Sequence, residues 1–160
     1  MSEDLSVITG MFKANASIME KALQTIPSEQ WLSKPADGSN HLMWIAGHVV
    51  VHRAMVLKLL GSSWSAPWEK LFVRGAPQAA PGQYPDAAEI KKEWEEVSGK
   101  LYTLLSSVPA EALAQPAPQK PPSFNGKIAG SIAFLGFHES YHMGQIAYLK
   151  KWLGHGQTVG

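Results

Sequence analysis

Residues 127–153 read KIAGSIAFLGFHESYHMGQIAYLKKWL. Ile128, Ile132, Leu135, Ile146 and Leu149 recur at the steps of one helix face; His142 falls on that face, with His138 beside it. The spacing predicts a helix from about Lys127 to Leu153, closed by Gly154. Imidazoles on an apolar face lose their water, so each needs a hydrogen bond or an ion in exchange. A second apolar stretch, Leu42 to Leu60, repeats the device with His48-Val49-Val50-Val51-His52. Its inner face reads Ile45, His48, His52, Met55 and Leu59.

Two more segments carry helical periodicity. The first begins at Ser2, an N-cap residue followed by Glu3 and Asp4, which suit the positive end of a helix dipole. It runs through Leu5, Ile8, Phe12, Met19 and Leu23 and stops before Pro27. The His48 helix starts after Ser39-Asn40 and ends at Gly61. The third opens with Asp86-Ala87-Ala88-Glu89, a capping-box spacing, and continues through Ile90, Trp94, Val97, Leu101 and Leu105 to about Val108. Gly61 to Pro85 is a long loop whose Trp64, Trp68, Phe72 and Tyr84 are expected to pin it to the helices. Ala114 to Asn125 is a proline-rich connection. No segment alternates as a strand does, so the fold class is all-α: a four-helix bundle with a long loop between helices two and three, in a single domain over 1–160.

An internal echo supports two related helix pairs. Ile26-Pro27-Ser28-Glu29 follows the first helix and Val108-Pro109-Ala110-Glu111 the third, and each is followed by a helix with histidines four residues apart.

Composition narrows the function. With 14 Lys and Arg against 13 Asp and Glu, and no run of either sign, the footprint of a nucleic-acid binder is missing. No cationic amphipathic helix suggests a membrane surface, and the Leu42–Leu60 stretch, broken by His48, His52, Arg53 and Lys58, reads as a core helix rather than a span. There are no cysteines, which removes disulfides and thiolate ligands. The acidic start lacks signal-peptide character, so the expected location is cytoplasmic, although a cysteine-free secreted domain has the same composition.

Histidines four apart on a helix lie roughly 5–6 Å from each other at Cβ and can converge on one ion. Neutral imidazole is a favoured ligand for Zn, Ni, Cu and Fe. His138-Glu139-Ser140-Tyr141-His142 also matches the H-E-x-x-H pattern of zinc proteases. The third ligand argues against that reading. Gln145 and Tyr148 stand where the metzincin form needs Gly and His, and no Asp or Glu follows Glu139 to serve the thermolysin-like form.

Two blocks, Asn40-His41-Leu42-Met43-Trp44-Ile45-Ala46-Gly47-His48 and His138-Glu139-Ser140-Tyr141-His142-Met143-Gly144-Gln145-Ile146 with Tyr148-Leu149, resemble the DinB family of bacterial four-helix-bundle metalloproteins. Helix order, the long central loop and chain length agree. The resemblance implies a divalent metal site of His48, His138 and His142 with open positions, Zn or Ni being the ions associated with the family. It also implies a homodimer and a small-molecule substrate, with a low-molecular-weight thiol favoured because similar proteins include thiol-dependent transferases and isomerases. Hydrolysis stays open beside thiol transfer. The alternative is a non-catalytic metal-binding or stress-response bundle, which a loop packed flat, with no cavity above the metal, would favour.

Other residues are placed by the same logic. His52 is the echo's counterpart of His142 and is expected to pack near the site without ligating, since a fourth ligand would close it. Glu139 is expected at the helix edge, either solvated, accepting from an imidazole, or orienting a metal-bound water. His41 and His155 are expected to be exposed at helix ends. Gly136 and Gly144 each cost about 1 kcal/mol of helix propensity relative to Ala, which close helix approach within the bundle or across a dimer would offset.

Overall fold

The computed structural model describes residues 3–158, and the expected Ser2 cap lies outside them. Among the described residues five α-helices form: α1 (Glu3–Thr25), α2 (Leu42–Leu59), α3 (Ala87–Ser107), α4 (Ala110–Leu113) and α5 (Ile128–Trp152). α1 packs on α5 and α3, and α2 packs on α3 and α5, so the four long helices close around one core. Among the described residues there is no strand, only an isolated bridge between Pro116 and Lys127.

The apolar periodicities become the core directly. Leu5, Phe12, Met19 and Leu23 of α1 are buried, as are Ile90, Trp94, Val97, Leu101 and Leu105 of α3. The capping box forms as the spacing predicts: the Asp86 carboxylate accepts from the Glu89 N–H at 2.8 Å, and Glu89 accepts from the Asp86 N–H at 3.3 Å. Gly61 and Gly154 adopt φ of +89° and +85° just beyond α2 and α5, the left-handed turn that ends a helix without a Cβ penalty. The echo has a structural counterpart, because Pro27 and Pro109 each lead, in extended conformation, into a helical turn, Ser28–Gln30 and α4. α4 itself was not legible, and α3 stops at Ser107 because Val108 is already extended before Pro109.

Two features depart from the sequence expectations, at His41 and His155, and a third, in α2, extends them. His41, expected to be exposed, caps α2 instead: the ring Nδ1 accepts from the Trp44 N–H at 3.1 Å, as a Ser or Asn oxygen otherwise would. That ring is buried, edge-on to Tyr84 of the long loop, and burial lowers its pKa. His155 is half-buried and within 2.6 Å of Gln30 Oε1, because the chain after Gly154 folds back beside α5. α2 is buried well beyond one stripe. Leu42–Leu59 is long and apolar enough to cross a membrane, but 78% of it lies inside the bundle, between α3, α5 and the loop.

The loop packs down through its aromatics. Phe72 is fully buried, with the rings of Trp68 and Tyr84 against it at 5.0 and 5.6 Å. Gly47 makes room for Phe72, since a Cβ there would sit 2.5 Å from the ring. At Gly136 a Cβ would overlap the Met11 methyl, so that glycine serves the α1–α5 approach, whereas Gly144 faces open space.

Candidate metal centre

α2 and α5 lie against each other, and their histidines meet where they do. His48 Nε2 is 3.4 Å from His138 Nε2, and His142 Nε2 is 3.0 Å from the same atom. One ring nitrogen from each residue lies within 4.8 Å of the others, so the structure brings His48, His138 and His142 into one group. Among the described residues no other His, Cys, Asp or Glu joins it.

The opposite edges of two of these rings are held by acceptors. His48 Nδ1 is 2.6 Å from the Phe72 carbonyl, and His142 Nδ1 is 2.8 Å from Gln145 Oε1. A carbonyl oxygen only accepts, so each Nδ1 carries the proton and each Nε2 presents a lone pair. Trp44 stacks on His48 at 4.4 Å and fixes the plane of the ring. Burial lowers the pKa of all three, His142 to about 4 despite the Gln145 contact, so the imidazoles are neutral at pH 7.

Two lone pairs therefore face His138 Nε2, which has at most one proton to donate in the neutral ring. At least one nitrogen in the group lacks a donor, and an electron-rich cluster of this kind fits a cation. Three imidazoles, two of them with the far nitrogen hydrogen-bonded, form the donor set of an open divalent site. The three-histidine group is compatible with divalent-metal binding.

A match to a known family model covers residues 11–146, described as the DinB superfamily. The chain belongs to the DinB superfamily. No curated protein matches the chain significantly. In this DinB-superfamily bundle, α2 contributes one member of the histidine group and α5 contributes two.

His52 lies beside the group, stacked on His138 at 4.3 Å and tilted against His48 at 4.2 Å. Its Nδ1 is buried without a protein partner, and burial, reinforced by the neighbouring histidines, holds its pKa down to about 2.

Glu139 corrects the sequence reading. It is neither solvated nor turned toward an imidazole: it is 1% exposed and accepts from the Arg53 guanidinium through both oxygens, at 2.9 and 2.7 Å. One residue along a helix is a turn of about 100°, which carries Glu139 off the face that His138 occupies. A general-base reading of the H-E-x-x-H motif fails for the same reason.

Sequence reasoning missed Phe72 as an acceptor, Gln145 as a ring anchor, and Arg53 as a partner of Glu139. Gln145 had a signal, being three residues after His142 on one helix. Arg53 had one too, since a guanidinium within an apolar helix requires a buried counter-charge. The Phe72 carbonyl had none, because backbone across a loop has no sequence signature.

His138 is half-buried and is the member of the group most open to solvent. A cleft of about 570 Å³ lies at the outer edge of His142, lined by Ser39, Asn40, Tyr141, Gln145 and Tyr148 among others, though not by the imidazoles.

Proposed function

We propose that the protein is a divalent-metal-dependent enzyme of thiol-transferase or hydrolase type, with His48, His138 and His142 holding the ion. The observation that carries this reading is the convergence of three neutral imidazoles, two with the proton pinned on the far nitrogen. A bound divalent ion supplies Lewis acidity there, lowering the pKa of a coordinated water or thiol. The chain's own residues do the rest: Phe72 and Gln145 orient two rings, Trp44 covers one face of His48, and half-buried His138 leaves a side open to solvent. The cleft at Gln145 and Tyr141 offers a small molecule a place at the outer edge of His142. The DinB resemblance favours Zn or Ni, a low-molecular-weight thiol as co-substrate, a homodimer and a cytoplasmic location, all parts of the same proposal.

Elemental analysis of protein purified without chelator, followed by turnover assays pairing thiols with electrophiles, tests it. About one Zn or Ni per chain with thiol-dependent turnover supports the reading; protein that binds no divalent ion overturns it. Because the ion joins α2 to α5, chelation lowers the melting temperature while the apolar core keeps the helical circular dichroism at room temperature. One observation favours a second reading, a non-catalytic metal-binding bundle: the long loop packs down through buried Phe72, and the adjacent cleft is not lined by the histidines. Full metal content with no turnover across the thiol and hydrolysis screens selects that alternative.

A further inference from the structure

Arg53 is 0% exposed, an extreme position for a guanidinium, and it touches every long helix of the bundle. Nε and Nη2 donate to the two oxygens of Glu139 on α5, and Nη1 donates to Ser98 Oγ on α3 at 2.6 Å. Nη2 also donates to the Phe12 carbonyl on α1 at 3.2 Å, and the Trp94 ring of α3 lies 3.9 Å from Cζ. On α2 Arg53 follows His52, and on α5 Glu139 follows His138.

Buried apolar residues of α2 and α5, among them Ile45, Val49, Ile132 and Ile146, belong to one core, and the hydrophobic attraction that holds them there is non-directional. A planar guanidinium gripping a carboxylate through two bonds is directional and sets an axial offset. The tolerance at the neighbouring site is narrow. Metal–ligand distances hold to about 0.2 Å, whereas slipping a helix by one residue moves its side chains about 1.5 Å. Because both helices are continuous from the ion pair to the histidines, the offset at Arg53–Glu139 is transmitted to the His48–His138 distance.

We propose that Arg53 and Glu139 are positioning residues for the metal centre, the ion pair fixing the α2–α5 register that brings His48 to His138 and His142. The inference rests on the metal reading above and goes beyond it by assigning a task to two residues that touch no ligand atom.

The test separates positioning from stability. Replacing both charges together, Arg53→Met with Glu139→Met, removes the register device without leaving a lone buried charge, and such replacements are often neutral or stabilising. Denaturant unfolding of the metal-free protein is compared with zinc affinity, measured against a chromophoric chelator, and with the absorption spectrum of the cobalt(II)-loaded form. The paired variant is expected to unfold at or above the wild-type midpoint, yet to bind zinc about tenfold or more weakly with an altered cobalt spectrum. Arg53→Lys keeps a charge opposite Glu139 but loses the fork; it is expected to fold and to bind zinc more weakly than wild type, and it decides the matter if the paired variant does not fold. Leu101→Ala on α3 is the control, lowering the midpoint while holding zinc affinity within about twofold. Wild-type zinc affinity and an unchanged cobalt spectrum in the paired variant, or in Arg53→Lys if that variant alone folds, overturn the inference while the metal reading stands. Wild-type protein that binds no zinc removes the metal reading itself, a result read before any variant is made.

Discussion

Two polar groups sit within the same helix pair, and they are satisfied in opposite ways. At Arg53–Glu139 the charges match: two bonds join the pair, and Ser98 and the Phe12 carbonyl take further guanidinium protons. At His48, His138 and His142 the outer nitrogens of two rings are matched, but the inner ones confront one another with too few protons to go round. A buried polar cluster that is complete in itself locks helices together, and one that is incomplete in a defined direction asks for a ligand. H-E-x-x-H puts a member of each kind side by side, His138 and Glu139, and helix geometry turns them to different tasks.

The largest effect that would break this contrast lies at the incomplete cluster. His48→Ala, His138→Ala and His142→Ala should each remove most of the bound metal, because two imidazoles remain where three are needed for a tight site. Elemental analysis finding full metal content in two of these variants would sink the ligand assignment. At the complete cluster, Glu139→Gln leaves the guanidinium buried without a counter-charge and should cost about 3–5 kcal/mol, read as a lower denaturant midpoint. An unchanged midpoint would mean that the Arg53 charge finds another partner.

Acid sharpens the comparison next. In the metal-free protein His142 is held near pKa 4 by burial, below the value of about 6.5 expected once it unfolds. Between these values the unfolded chain binds more protons, so this contribution to stability is full above about pH 6.5 and is lost as pH falls toward 4. The slope approaches about 1.4 kcal/mol per pH unit for such a group and should shrink in His142→Gln. Thermal scans of chelated protein from neutral pH down through this window check it; identical slopes in the two proteins would remove His142 as the cause. The smallest expected effect is at His52, whose ring stacks on the group without joining it. His52→Ala should keep its metal, and a loss equal to that of His142→Ala would reveal a four-histidine site.

Helix-scale information was local and therefore readable. The periodicity of Ile90, Trp94, Val97, Leu101 and Leu105 specifies a buried face whatever the partner, because 3.6 residues per turn is a property of the backbone. The Asp86–Glu89 box and the Gly61 and Gly154 ends were legible for the same reason. The histidine pairs announced their own proximity within each helix through their four-residue spacing.

What paired with what across helices was not local. Arg53 and Glu139 are 86 positions apart, and nothing in either neighbourhood names the other. His41 looked like an exposed helix-end residue until Tyr84, returning from the long loop, covered it. The Phe72 carbonyl that fixes the His48 tautomer belongs to backbone whose direction depends on how its ring finds the gap at Gly47. The four long helices, their buried faces and the histidines available for a site follow from residue order alone. Which nitrogens turn inward and which charge is neutralised are set in the folded molecule, because those outcomes depend on directional contacts between segments distant along the chain.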